Sequence, residues 1–255
     1  MEQAPDSVDR YAAVRQYSLA QILGVWAGAA VPMGVLAWIV APWLRDQLGG
    51  DDPFAQALLI CITAGLIWQF VLVLILTRRE LGGLQWPRVR EALWLRAPRD
   101  PRTGRLGGRV WWWVLPFVVL FAFEAFLALP GPSVRDFGDF LDSDRGEDFF
   151  RGAWGWFALV VVLAVFNTVL GEELLFRGLL LPRMKSAFGK WDWVANGVLS
   201  AVYHVHQPWS IPASLVDIIA LAYPSRRFQS AWMGIIVHSV QSLVVIVVVL
   251  TLVLD

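Results

Sequence analysis

The stretch WFALVVVLAVFNTVLGEELLFRGLLLP, Trp156 to Pro182, is apolar throughout except at its centre, where GEELLFRG, Gly171 to Gly178, holds two adjacent glutamates and an arginine. The apolar character continues from about Gly152 to Met184. As a helix that segment reaches about 50 Å at 1.5 Å per residue. A hydrocarbon core is ~30 Å thick, so the segment must tilt or project beyond it. A charged side chain at mid-span costs roughly 2.5–3.5 kcal/mol on a translocon scale. Three together need an explanation.

Composition makes lipid the setting. Of 255 residues, 57% are apolar and 16% charged, against roughly 45–50% and 25% for soluble domains, and the mean hydropathy is +0.57. Several apolar runs exceed the length a spanning helix needs. The expected fold is therefore all-α, a polytopic transmembrane helical bundle of about six to eight spans, with an active-site cavity among the C-terminal helices. Spans are expected at about Ser18–Trp43, Phe54–Thr77, Val110–Leu129, Gly152–Met184, Val194–His206 and Ala231–Leu254, with a short piece at Leu215–Tyr223. Residues 1–151 would form N-terminal spans with a basic loop, and 152–255 the functional core of one membrane domain. The acidic and basic mix before Ser18 is not the basic start of a secretory signal, so the first run reads as a retained span. Cys61 lies in an apolar run and has no second cysteine to pair with.

Charge distribution orients the bundle. Residues 78–109 hold nine arginines against Glu80, Glu91 and Asp100. Within them, Pro87–Trp94 suits an interfacial helix and Pro98–Gly108 an irregular loop. Residues 130–151 hold six carboxylates against three arginines. The positive-inside rule puts the arginine-rich stretch and the N-terminus in the cytoplasm and the acidic loop outside. Both loops read as solvated faces that set topology. Zero net charge gives no reason to expect a nucleic-acid partner. The expected partners are the lipid bilayer and a peptide or protein substrate, with oligomeric state unread. The short loops suit a bacterial inner membrane.

The intramembrane charges divide into roles. Glu173 and Arg177 are four apart, share a helix face and can pair. Glu172 is turned about 100° away and is free for other partners. The three histidines, His204, His206 and His238, all fall in or beside late apolar segments. On a helix His204 and His206 would point to roughly opposite sides, so only one should share an interior with Glu172. A glutamate meeting two histidines can take a proton from water, or the set can hold a metal. Glu124, near the outer end of the third span, reads as a wetted end residue. The chain has no HExxH, GxSxG, Walker A or GxGD motif.

EELLFR, Glu172 to Arg177, followed by Gly178, resembles the EExxxR signature of the CAAX-protease and bacteriocin-processing family, the Abi group of membrane proteins. A histidine on a following helix and another on a final helix agree in order. The similarity covers about Trp154 to Val245. The family's FxxxH motif is matched by SAVYH, Ser200 to His204, with serine for phenylalanine. Its HxxxN or HxxxD motif is matched by HSVQS, His238 to Ser242, with serine last and Gln241 one earlier. The resemblance implies a membrane peptidase in which Glu172 activates the attacking water and His204 positions it. His238, with Ser242 or Gln241, stabilises the oxyanion, and Glu173 with Arg177 forms the orienting pair. It leaves open whether Glu172, His204 and His238 hold zinc or work unaided. The rivals are a non-catalytic immunity or partner-assembly protein on the same scaffold and a proton-coupled transporter. A transporter tends to show paired repeats, and none is visible.

Overall fold

The computed structural model describes residues 14–50, 52–127, 129–132 and 135–255. The charges before Val14, on which the reading of the N-terminal segment rests, lie outside the described residues. Every regular element among those described is helical. Five helices are long and apolar enough to cross a membrane: α1 Leu19–Arg45, α2 Pro53–Leu81, α4 Gly108–Leu127, α7 Trp154–Arg183 and α9 Ala231–Leu254. Between them lie α3 Trp86–Ala92, α5 Phe137–Leu141, α6 Asp144–Phe150 and α8 Asp192–Tyr203. Each long helix matches an expected span within a few residues. The other two expected segments are shorter. Helix α8 has twelve residues, about 18 Å at 1.5 Å per residue. The piece after it breaks into turns at Ile211–Ser214, Ile218–Ala222 and Tyr223–Arg227.

Local chemistry sets the helix ends. Ser18 caps α1 in a capping box with Gln21. Asp52 caps α2 by accepting from the Ala55 amide, Pro53 occupies the first turn, and Gly82 ends the helix at φ 70°. Arg78 and Arg79 sit in the last turn of α2, where cations suit the helix dipole. The interfacial helix and irregular loop expected in the arginine-rich stretch are present as α3 and the turns after it.

Helix α7 is the centre of the bundle. Half of its most apolar window is buried, against 17% for α4. Leu175, Phe176, Leu179 and Leu180 pack with Ile22 and Met33 of α1 and Leu66 and Val73 of α2. Large apolar side chains on the outside of the other helices, such as Ile39, Val119, Phe126 and Val247, stay exposed, as a lipid-facing surface requires.

Hydrogen bonds tie together the end of the bundle that carries the arginine-rich stretch. Arg183 donates to both carboxylate oxygens of Glu80 and to the Ala92 and Leu179 carbonyls, at 2.8–3.1 Å. Tyr17 N–H donates to the Arg183 carbonyl and Ala231 N–H to that of Trp94. Burial raises the pKa of the Tyr17 hydroxyl, which bonds Glu80.

At the opposite end the acidic loop departs from the expected solvated face. Asp139, Asp142, Asp144 and Asp148 are exposed, but α5 and α6 turn Phe140, Leu141, Phe149 and Phe150 onto Val160 of α7 and Val249 and Val253 of α9. Net charge does not report the amphipathic packing of these two short helices. Arg145 pairs with Asp52, and Arg135 stacks over Trp38 and donates to the Ala37 carbonyl.

Candidate active site

Two distortions in α7 surround the glutamates. Wide, π-type turns run Phe166–Leu170 and Leu174–Leu180, a feature that re-aims side chains and often marks functional sites. Between them the backbone folds tightly. Gly171 N–H reaches the Phe166 carbonyl at 2.6 Å. A Cβ on Gly171 would stand 2.5 Å from that oxygen and 2.9 Å from the Leu66 carbonyl of α2, so only glycine permits this approach. The local unwinding sends Glu172 and Glu173 to different surroundings.

Glu173 is fully buried behind the site. One carboxylate oxygen lies 3.5 Å from Arg177 Nε, and the other lies 3.2 Å from His238 Nδ1. Arg177 Nη2 lies 3.9 Å from Asp217 Oδ2. The expected Glu173–Arg177 pair is therefore present, inside a longer chain of charges, His238–Glu173–Arg177–Asp217. Each member offsets part of its neighbour's burial cost. Gly234 of α9 makes room, since a Cβ there would sit 2.5 Å from Glu173 Oε2.

Glu172 faces a cavity of about 310 Å³, which His204, His206 and His238 also line. Its nearest hydrogen-bond contact is the Ser200 hydroxyl at 3.5 Å. Glu173 and Arg177 do not reach the cavity wall. Ser242 and Gln241 do.

The expectation that only one of His204 and His206 shares this interior does not hold. It assumed a continuing helix, whereas α8 ends at Tyr203 and His204 leaves the helical path at ψ 36°. The two imidazoles therefore come to the same side and stack, with ring centroids 5.5 Å apart and planes at 26°. His204 Nδ1 lies 3.2 Å from the Ser200 carbonyl, and His206 Nε2 lies 3.2 Å from Gln207 Nε2.

Glu124 is a half-buried residue near the end of its helix, as expected, but it also belongs to the cavity. It lies where α4 breaks after Phe123, lines the cavity and accepts a hydrogen bond from Gln241 Nε2 at 3.2 Å. His238, His204 and Glu172 are its electrostatic neighbours. Asp217 was also missed. It had the same signal as Glu172, a carboxylate inside an apolar run. Gly234 carried no signal, because its role is to be absent from a space.

As for a metal, among the described residues no three His, Cys, Asp or Glu side chains are gathered closely enough to hold an ion. Glu172, His204 and His238 share the cavity without forming such a set, and the carboxylate against His238 is Glu173.

Residues 154–244 match the family described as type II CAAX prenyl endopeptidase Rce1-like. The match spans nearly the stretch over which EELLFR and the histidines showed the resemblance. It takes in Glu172, Glu173, Arg177, all three histidines and Asp217, and leaves out Glu124. No curated protein and no solved structure matches the chain significantly.

Proposed function

Taking the Rce1-like domain at residues 154–244 as the premise, we propose that the protein is a membrane-embedded endopeptidase that hydrolyses peptide bonds in or near the bilayer with a glutamate-activated water. The observation that carries this reading is the shared cavity. Glu172 opens onto it beside three imidazoles, while the neighbouring Glu173 is already engaged by Arg177 and His238. A structural ion pair accounts for Glu173. Among the described residues no cation forms an ion pair with Glu172.

In the proposed reaction Glu172 accepts a proton from water as the oxygen attacks the scissile carbonyl carbon. The carbonyl π pair moves to oxygen, giving a tetrahedral oxyanion. Cavity-lining imidazole N–H groups and the Gln241 amide are available to donate to that oxygen, and preorganised donors of this kind stabilise such charge strongly. Collapse breaks the C–N bond, and protonated Glu172 returns its proton to the leaving amine. Glu173 holds His238 in orientation by taking its Nδ1 side, which directs Nε2 elsewhere. No step here passes through a metal.

Glu172→Gln keeps the shape of the side chain and removes the base. Purified in detergent, it should keep the parent's thermal unfolding and lose cleavage of a peptide library. Retained cleavage would remove Glu172 from its role. A parent that never cleaves while Glu172→Gln abolishes a protein-protection phenotype would favour the non-catalytic scaffold. The same assay after chelation separates the two modes of water activation that residue type leaves open.

A further inference from the structure

We infer that the cavity is reached only from the end of the bundle that carries the acidic loop, so that the site takes polypeptide presented on the non-cytoplasmic face. The lining residues give the direction. Beside the cap residue Asp52, those on α2 run from Ala55 to Leu66, all in the half that starts at Pro53, and the half that ends at Leu81 contributes none. On α7 they run from Val160 to Glu172 and stop. From the acidic loop Arg135, Asp136 and Arg145 form the rim. No residue of the arginine-rich stretch takes part.

Below Glu172 the path is closed. Leu175, Phe176, Leu179, Leu180 and Met184 form a fully buried layer. The Arg183–Glu80 ion pair joins α7 to α2 farther toward the same end. Glu172 is eighteen residues from the Trp154 end of α7, about 27 Å at 1.5 Å per residue. The cavity is therefore a deep, one-sided well and not a channel.

Charge orients the well. Beside the nine arginines of 78–109, the closed end carries Lys185, Lys190, Arg226 and Arg227. The direct links Arg99 N–H to Phe228 and Arg183 to Glu80 put these segments at one end. The open end holds Asp46, Asp52 and the acidic loop, joined by Arg145–Asp52 and by Gly152 N–H to the Val253 carbonyl. With so strong a bias in short loops the closed end is cytoplasmic. A substrate entering by diffusion must then come from the other side, as the exposed segment of a translocated or membrane-inserted polypeptide.

The substrate class rests on the peptidase reading, whereas the sidedness does not, and thiol labelling tests sidedness without any activity. In a Cys61→Ala background, single cysteines replace Ala164, deep in the well, and Ala55, near its rim. Asp139→Cys and Thr103→Cys mark the acidic and arginine-rich faces. Each full-length variant is placed in sealed vesicles of known orientation and treated with a small membrane-impermeant thiosulfonate. The expected result is that Ala164→Cys and Ala55→Cys react from the Asp139→Cys side and lose all labelling from the Thr103→Cys side. Labelling of Ala164→Cys from the Thr103→Cys side, from both sides or from neither overturns the inference, as does reaction of Thr103→Cys with the impermeant reagent outside intact cells. A parent that labels as expected but cleaves nothing leaves the sidedness standing and removes the peptidase reading.

Discussion

His238 Nδ1 lies 3.2 Å from Glu173, not from its neighbour Glu172. One carboxylate thus serves both Arg177 on its own helix and His238 on α9. Because all three are buried, removing the shared member strands two groups at once. Glu173→Leu should cost about 3–5 kcal/mol, the usual penalty for breaking a buried pair from one side. Adding Arg177→Met should recover part of that loss. Denaturant unfolding in detergent measures both, and a Glu173→Leu variant as stable as the parent would show that the pair carries no structural weight.

Gly234 gives a sharper steric prediction. Its missing Cβ leaves room for Glu173 Oε2 at 2.5 Å and Ser225 Oγ at 2.9 Å. Gly234→Ala should therefore destabilise by about 1–3 kcal/mol, as overpacking does in well-filled cores. Gly24→Ala on α1 meets nothing within 4 Å and should gain about 0.5–1 kcal/mol from reduced backbone entropy. Thermal unfolding of the two variants side by side checks the contrast. Equal effects would mean that α9 can shift away from Glu173 at little cost.

Arg183 should matter for stability alone. It is fully buried and donates to Glu80 and to two carbonyls. Arg183→Met leaves those acceptors unpaired and should cost about 3–5 kcal/mol. Arg183→Lys should rescue little, because an ammonium cannot reproduce the planar fork that meets both Glu80 oxygens. Unfolding curves that rank the lysine variant with the parent would contradict this.

The spans and the central motif were legible because length and apolarity report directly on lipid, and because a charged side chain there stands out against its background. Glu172, Glu173 and Arg177 were found this way. His206 was misjudged for a different reason. Helical periodicity places residues only where the helix continues, and α8 stops at Tyr203. The acidic loop hid four buried phenylalanine and leucine side chains, since net charge describes only its outer face. Glu124 lay too near a span end for its place on the cavity to be read from sequence. Its partner Gln241 is 117 positions away, and no local pattern links them.

That pair supplies the last prediction. Gln241 lies three residues after His238 on α9, and its amide donates one hydrogen to Glu124 at 3.2 Å. A primary amide has two such hydrogens, so the second remains for the cavity that both residues line. Glu124 thus orients Gln241 beside His238 and offers it a charged acceptor. A hydrogen bond to a charged group is worth about 1.5–3 kcal/mol, so Glu124→Ala and Gln241→Ala should each lower kcat/KM by roughly 10- to 100-fold. The double variant should lose little more than either single one, because the second change removes a partner already lost. Glu124→Gln keeps a carbonyl acceptor and should recover part of the activity. Thermal unfolding should change little across the set, since both side chains already face the cavity. Fully additive losses in the double variant would separate the two residues and leave Gln241 without its proposed orienting partner.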